Sequence, residues 1–142
     1  MIRKFQPDDT KRVMDIWLNS NIEAHSFVPK DYWISNYSFV QDQLIQANIY
    51  IYEQDNIIKG FVGMTDNYMA GIFVDKNFRS MGIGKMLIDY IKEIYPSFYL
   101  NVYKENRRAV NFYKREGLNI ISEETDIDTQ RQEYTMEWKN KA

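Results

Sequence analysis

The sequence predicts an α/β (α+β) domain in which helices flank one mixed sheet, and three observations carry this. Short runs rich in β-branched and aromatic residues alternate with segments of helical periodicity instead of standing apart from them. A strand–helix–strand crossover is read over residues 68–103, which calls for a parallel pairing. The 142 residues are 44% hydrophobic and include 11 Tyr, 8 Phe and 3 Trp. That is enough for one packed core and leaves little for a second, so residues 1–142 are expected to form a single domain.

Each element has a local reason. Residues 1–5 read as a short strand, and Pro7-Asp8-Asp9 supplies turn and capping chemistry. Val13, Ile16, Trp17 and Ser20 recur at helical spacing and predict a helix over 9–20. Residues 21–30 read as an irregular loop ending in Pro29. Asp31 is placed to cap a second helix with Tyr32, Trp33, Tyr37, Val40, Leu44 and Ile45 on its apolar side. Residues 48–53 and 57–64 are β-rich runs joined as a hairpin through Gln54-Asp55-Asn56. Residues 68–75 form the next strand, where Gly71 marks a bulge or a close backbone approach.

Residues 82–95 place Ile83, Met86, Leu87, Tyr90, Ile91 and Ile94 on one side of an amphipathic helix. Residues 98–103 are a strand, 106–116 a helix ended by Gly117, and 118–123 and 131–138 the last two strands. The predicted order is β-α-α-β-β-β-α-β-α-β-β. No internal repeat, low-complexity tract or linker interrupts it.

Composition excludes several classes. Eighteen Lys+Arg against 20 Asp+Glu give a net charge of −2, which disfavours general nucleic-acid binding. No uncharged run exceeds ten residues, short of a membrane-spanning helix. The first nine residues lack the apolar stretch of a signal peptide, so a soluble, cytoplasmic protein is expected. With no cysteine there is no disulfide framework, thiolate metal site or cysteine nucleophile, and no metal is implied. Charge is distributed unevenly: residues 76–92 and 101–117 each carry +3, residues 21–58 carry −4 and residues 118–137 carry −5. The cations therefore collect in two segments that open helices. They read either as solvated helix faces or as an anion site.

Arg79-Ser80-Met81-Gly82-Ile83-Gly84-Lys85 lies between a predicted strand and a predicted helix. Glycine lets the backbone approach an anion, helix-start N–H groups point at it, and the helix dipole and flanking cations add positive potential. A Walker loop fails at both ends, since Arg79 stands at its first position and Met86 at its last. A dinucleotide fingerprint fails at Leu87, where its third glycine belongs.

The loop does fit Arg/Gln-x-x-Gly-x-Gly/Ala, and residues 72–87 around it resemble the central strand, pyrophosphate loop and helix of the GNAT superfamily of N-acetyltransferases. Residues 100–118 resemble its second motif, Asn-x-x-Ala-x-x-Phe-Tyr-x-x-x-Gly-Phe/Leu, here carried by Asn106, Ala109, Phe112, Tyr113, Gly117 and Leu118. The segment His25-x-Phe27-Val28-x-x-x-Tyr32-Trp33 resembles a bacterial subgroup whose loop between the first two helices covers the acceptor pocket. Ser80 stands where many members have glycine and is expected to fit if its φ stays negative.

The resemblance implies the GNAT acyl-CoA N-acyltransferase fold, with a mixed, mostly antiparallel sheet, and acetyl-CoA as co-substrate. Ile72, Phe73 and Val74 would pair with the pantetheine arm as an added strand. Arg79, Ser80, Met81, Gly82, Ile83, Gly84 and Lys85 would hold the pyrophosphate. A backbone N–H near Val74 would polarise the thioester carbonyl. Asn106, Ala109 and Tyr113 share one helix face lining the cofactor, with Asn106 bonded to the pantetheine.

Tyr113 would be the acid serving the departing thiolate; a core tyrosine is the other reading. Full proton transfer from a tyrosine near 10 to a thiolate near 8.5 is uphill by about 2 kcal/mol, which favours a hydrogen bond to sulfur. On the acceptor side, deprotonating a lysine-like amine at pH 7 costs about 4.6 kcal/mol. The strand over 68–74 holds no acid to do it. His25, the only histidine, reads as a base, a substrate contact or a structural residue. Phe27, Tyr32, Trp33 and Tyr68 read equally as pocket walls or core.

The expected activity is direct acetyl transfer in a ternary complex to a primary amine: a protein lysine or N-terminus, or a small amine such as an aminoglycoside or polyamine. The lack of cysteine agrees with a direct route. A non-catalytic acyl-CoA-binding regulatory module is the alternative, and monomer and homodimer are both compatible with the chain.

Overall fold

The computed structural model describes residues 1–140. Seven strands form one sheet in the order β1-β2-β3-β4-β5-β7-β6. The strands are β1 (Ile2–Lys4), β2 (Asn48–Gln54), β3 (Ile57–Thr65), β4 (Tyr68–Val74), β5 (Ser97–Tyr103), β6 (Asn119–Thr125) and β7 (Gln132–Lys139). Every pairing is antiparallel except β4–β5. The helices are α1 (Thr10–Ala24), α2 (Lys30–Ser35), α3 (Tyr37–Gln46), α4 (Ile83–Ile94) and α5 (Arg107–Arg115). The α/β class, the mostly antiparallel mixed sheet and the crossover through α4 are as expected.

Strand alternation divides the apolar residues between the two faces of the sheet. On one face Tyr50, Tyr52, Val62, Met64, Met69, Leu100, Val102 and Met136 pack with Ile83, Leu87, Ile88 and Ile91 of α4 and Val110 and Tyr113 of α5. On the other, Ile49, Ile51, Phe61 and Tyr103 pack with Val13, Ile16 and Trp17 of α1, Trp33 of α2 and Leu44 of α3. The second face is helix-covered over β2–β4. The outer strands β5–β7 present polar side chains there, including Asn101, Glu124, Glu133 and Thr135.

The β2–β3 hairpin turns on Asp55 (φ 56°) and Asn56 (φ 62°), two residue types that tolerate the left-handed region a two-residue turn requires. The bulge expected at Gly71 falls beside it: Gly63 pairs with Gly71 but Met64 with Met69, leaving Ala70 as the extra residue. A Cβ on Gly71 would lie 2.6 Å from the Phe73 ring, so what crowds the glycine is a side chain and not a backbone.

Several local expectations change. Ile45, Met86 and Ile94, expected on the apolar sides of their helices, are exposed. The first helix runs on to Ala24, shortening the loop to a few residues. The second predicted helix is two: Asn36 donates its side-chain amide to the Tyr32 carbonyl (2.7 Å) and the chain restarts as α3. Asp31 lies in the first turn of α2, whose N-cap is Pro29. Ser80 does not keep a negative φ; it sits at +64°.

Candidate active site

Strands β4 and β5 are joined at one register only, Tyr68 opposite Tyr99, with the rings 5.1 Å apart. Beyond that pair the strands diverge, and the β4 segment Ile72-Phe73-Val74 pairs with β3 alone. Its edge toward β5 is left without a strand partner, the geometry an extended arm can complete. Below it the chain turns through Asp75, which caps a short turn by accepting from the Asn77 amide (2.8 Å) and holds Arg12 at 2.8 Å. Arg79-Ser80-Met81 then leads to Gly82, which is left-handed (φ 81°) and forms the N-cap of α4. A Cβ on Gly82 would meet nothing within 4 Å, so the glycine answers to φ and not to crowding.

The α4 start thus presents free backbone N–H groups at an open loop. Ile83 anchors it in the core, Gly84 lies against the Phe112 ring, and Met81 is exposed. The cations are engaged with acids, most of them on other elements. Arg79 donates to Glu23 of α1 (3.2 Å), and Lys85 reaches Glu116 (3.3 Å) and Asp89 (3.4 Å). Lys92 donates to the Glu116 carbonyl at 2.6 Å.

Helix α5 lies on the same side of the sheet as α4. Asn106 is its N-cap, accepting from the Ala109 N–H through Oδ1 (3.3 Å). One turn beyond Ala109, Tyr113 is buried at 7% exposure. Burial pushes its hydroxyl well above the usual tyrosine range, partly offset by the facing Ile72 backbone amide. The Tyr113 hydroxyl therefore meets β4 where that strand has lost its β5 partner.

The opposite face holds the other expected residues. Phe27 and Tyr32 are half-buried at the rim, and Tyr68 is half-buried at the start of β4. Trp33 differs: it is core, packed edge-on to Trp17 (6.1 Å). The His25 ring stacks on Trp33 (5.2 Å) and meets Phe27 and Tyr103 edge-on. Its Nε2 lies 3.2 Å from Asn106 Nδ2, and burial lowers its pKa to about 4.

Sequence reasoning missed the carboxylates facing these aromatics. Asp126 accepts from the Tyr103 hydroxyl (2.9 Å) and from Thr129 Oγ1 (2.8 Å). The carboxylate of Glu133 on β7, opposite Tyr103, has no ion-pair or hydrogen-bond partner among the described residues. Burial, then Asp126 and Glu124, raise its pKa. Tyr68 and Tyr32 both feel its charge, and Arg131 lies over the Phe27 ring (5.7 Å). The signal was present in β7, where inward Tyr134, Met136 and Trp138 set Glu133 and Thr135 on the other face.

The model of the acetyltransferase (GNAT) family matches residues 10–118. The peptidyl-lysine N-acetyltransferase YiaC of Escherichia coli strain K12 is 32% identical over 97% of this chain and 96% of its own. Among solved structures, apo YjaB from Escherichia coli superposes with a TM-score of 0.86 at 22% identity, covering 99% of this chain and 97% of that one. The structure of YncA from Salmonella typhimurium with its cofactor acetyl-CoA superposes at 0.70 and 11% identity, over 100% and 94% of the two chains. The chain belongs to the GNAT acetyltransferase family, as an N-acetyltransferase. No described helix is long and apolar enough to cross a membrane.

Proposed function

We propose that this chain is a single-domain cytoplasmic enzyme that acetylates lysine side chains of proteins, directly and in a ternary complex. The supporting observation is the one-register contact between β4 and β5, with a tyrosine hydroxyl on one side of the opening and an unpaired carboxylate on the other. Residues 72–74 add the pantetheine arm as a strand, and the N–H near Val74 polarises the thioester carbonyl. The N–H groups of residues 80–85 hold the pyrophosphate, and Arg79 and Lys85 exchange their carboxylate partners for it. Asn106 has one amide N–H left over for a pantetheine carbonyl.

Tyr113 donates a hydrogen bond to the thioester sulfur. Its raised pKa makes donation of a whole proton costlier than for an ordinary tyrosine, so it steadies the departing thiolate. On the other face Phe27, Tyr32 and Tyr68 enclose the acceptor chain. Glu133, with Asp126 and Asp128 near it, gives that wall negative potential and favours an ammonium. The similarity to YiaC, named a peptidyl-lysine N-acetyltransferase, points to lysine among the possible amines.

The test is an acetyl-CoA assay on three acceptors: a lysine peptide with blocked N-terminus, a lysine-free peptide with free N-terminus, and spermidine. CoA release is followed with a thiol reagent, to which this cysteine-free protein contributes nothing. Turnover of the blocked lysine peptide alone supports the reading. Preference for either other amine overturns the acceptor assignment.

A further inference from the structure

His25 is the chain's only histidine, and its ring is enclosed by Trp33, Phe27 and Tyr103. Its polar contact with another side chain joins elements 81 residues apart: Nε2 lies 3.2 Å from Asn106 Nδ2. The direction of that bond follows from the cap. Asn106 Oδ1 accepts from the Ala109 N–H, so the amide cannot turn over without setting its NH2 against a backbone donor. The NH2 therefore faces His25 and requires an acceptor there. Only a neutral ring with its lone pair on Nε2 and its proton on Nδ1 supplies one. Among the described residues Nδ1 is buried without a hydrogen-bond partner; the Asn21 backbone favours a charged ring, and burial outweighs it.

We infer that His25 is a positioning residue for the cofactor: through Nε2 its neutral imidazole fixes the Asn106 amide at the start of α5 and ties the acceptor-side loop to the acetyl-CoA arm. This rests on the reading above that Asn106 meets the pantetheine. One amide N–H is taken by His25, and the other is thereby aimed. His25 is thus a hydrogen-bond acceptor that takes no proton from the amine. Since Phe27 follows it in the same loop, an ordered cofactor arm also orders a wall of the acceptor pocket.

Selective 15N-histidine labelling tests the tautomer directly, because a single residue gives the signal. At pH 7 the expected spectrum has a pyrrole-like Nδ1 and a pyridine-like Nε2; the reverse, or a charged ring, overturns the inference. Calorimetric CoA binding and steady-state kinetics of variants test the consequence. His25→Phe keeps the stacked ring and loses the lone pair, so CoA binding and the acetyl-CoA KM should weaken about tenfold, with kcat nearly unchanged. His25→Gln restores an acceptor near the Nε2 position and should recover most of the loss. A packing role gives the opposite order, with Phe benign and Gln harmful, and a base role lowers kcat at unchanged CoA binding; either result overturns it. Asn106→Ser keeps the helix cap and removes the amide. If it leaves CoA binding intact, the reading of Asn106 fails; if it weakens binding while His25→Phe does not, only the role of His25 fails.

Discussion

Tyr68 and Tyr99 form the sole parallel pair between β4 and β5, and the sheet opens immediately past them. Their rings, 5.1 Å apart, stand at the closed end of the opening. From there the Tyr113 hydroxyl lies toward the α5 side and Glu133 toward the side of α1 and α2. In the proposed function the two reactants would meet from opposite faces of one sheet, each facing its own polar group.

Removing the Tyr113 hydroxyl should affect rate and spare binding. Tyr113→Phe keeps the buried ring, so acetyl-CoA affinity should stay within about threefold while kcat falls about 100-fold. Calorimetry and initial rates check the two halves. An unchanged kcat would return Tyr113 to the core and favour a non-catalytic acyl-CoA-binding role.

Glu133→Gln replaces the unpaired carboxylate with a neutral isostere. The KM for a lysine peptide should rise about tenfold and that for acetyl-CoA stay put. Ionic strength should raise the peptide KM of the parent enzyme and leave the variant less affected. Equal salt sensitivity in both would remove Glu133 from the acceptor wall.

The pH dependence of stability should separate His25 from Glu133, because their shifts oppose each other. Burial lowers the His25 pKa from 6.5 to about 4, so the unfolded chain binds the extra proton between those values. Stability from this group is complete above pH 6.5 and is lost as pH falls toward 4, by about 2 kcal/mol after discounting for partial exposure. Glu133, raised from 4.5, gives the opposite slope, its native state holding the proton longer. Denaturant unfolding of the parent and His25→Gln between pH 4 and 7 should show their difference growing with pH and levelling off near 6.5.

Ser80→Gly relieves a side chain held at φ +64°. The left-handed conformation costs a non-glycine residue about 1–2 kcal/mol, and glycine's freer unfolded chain gives back about 0.5–1. A net gain of about 0.5 kcal/mol, a rise of about 2 °C in Tm, is the expected calorimetric result.

The regular part of the fold was legible because each strand and helix carries its own period. Residues 82–95 show this in part: Ile83, Leu87 and Ile91 are buried as their spacing demands, but Ile88 joins them while Met86 and Ile94 are exposed. The break at Asn36 was not legible, because one side-chain hydrogen bond back to Tyr32 competes with a continuing apolar stripe. Residues of the glycine loop were found by pattern, but Ser80's φ and the engagement of Arg79 by Glu23, 56 residues away, depend on tertiary contacts no local pattern encodes. The same holds for the contact between His25 and Asn106. Glu133 was within reach of a period-two reading of β7, but which face would be open required the sheet order.

Amide-resolved hydrogen exchange with and without CoA tests most directly whether the opening between β4 and β5 receives the cofactor. Protection should rise at residues 72–74 and 80–85, with β1 and β2 unchanged and with ATP and NAD giving no such pattern. CoA binding with unaltered exchange at 72–74 would contradict the account, because the arm would then lie somewhere other than along the unpartnered edge of β4.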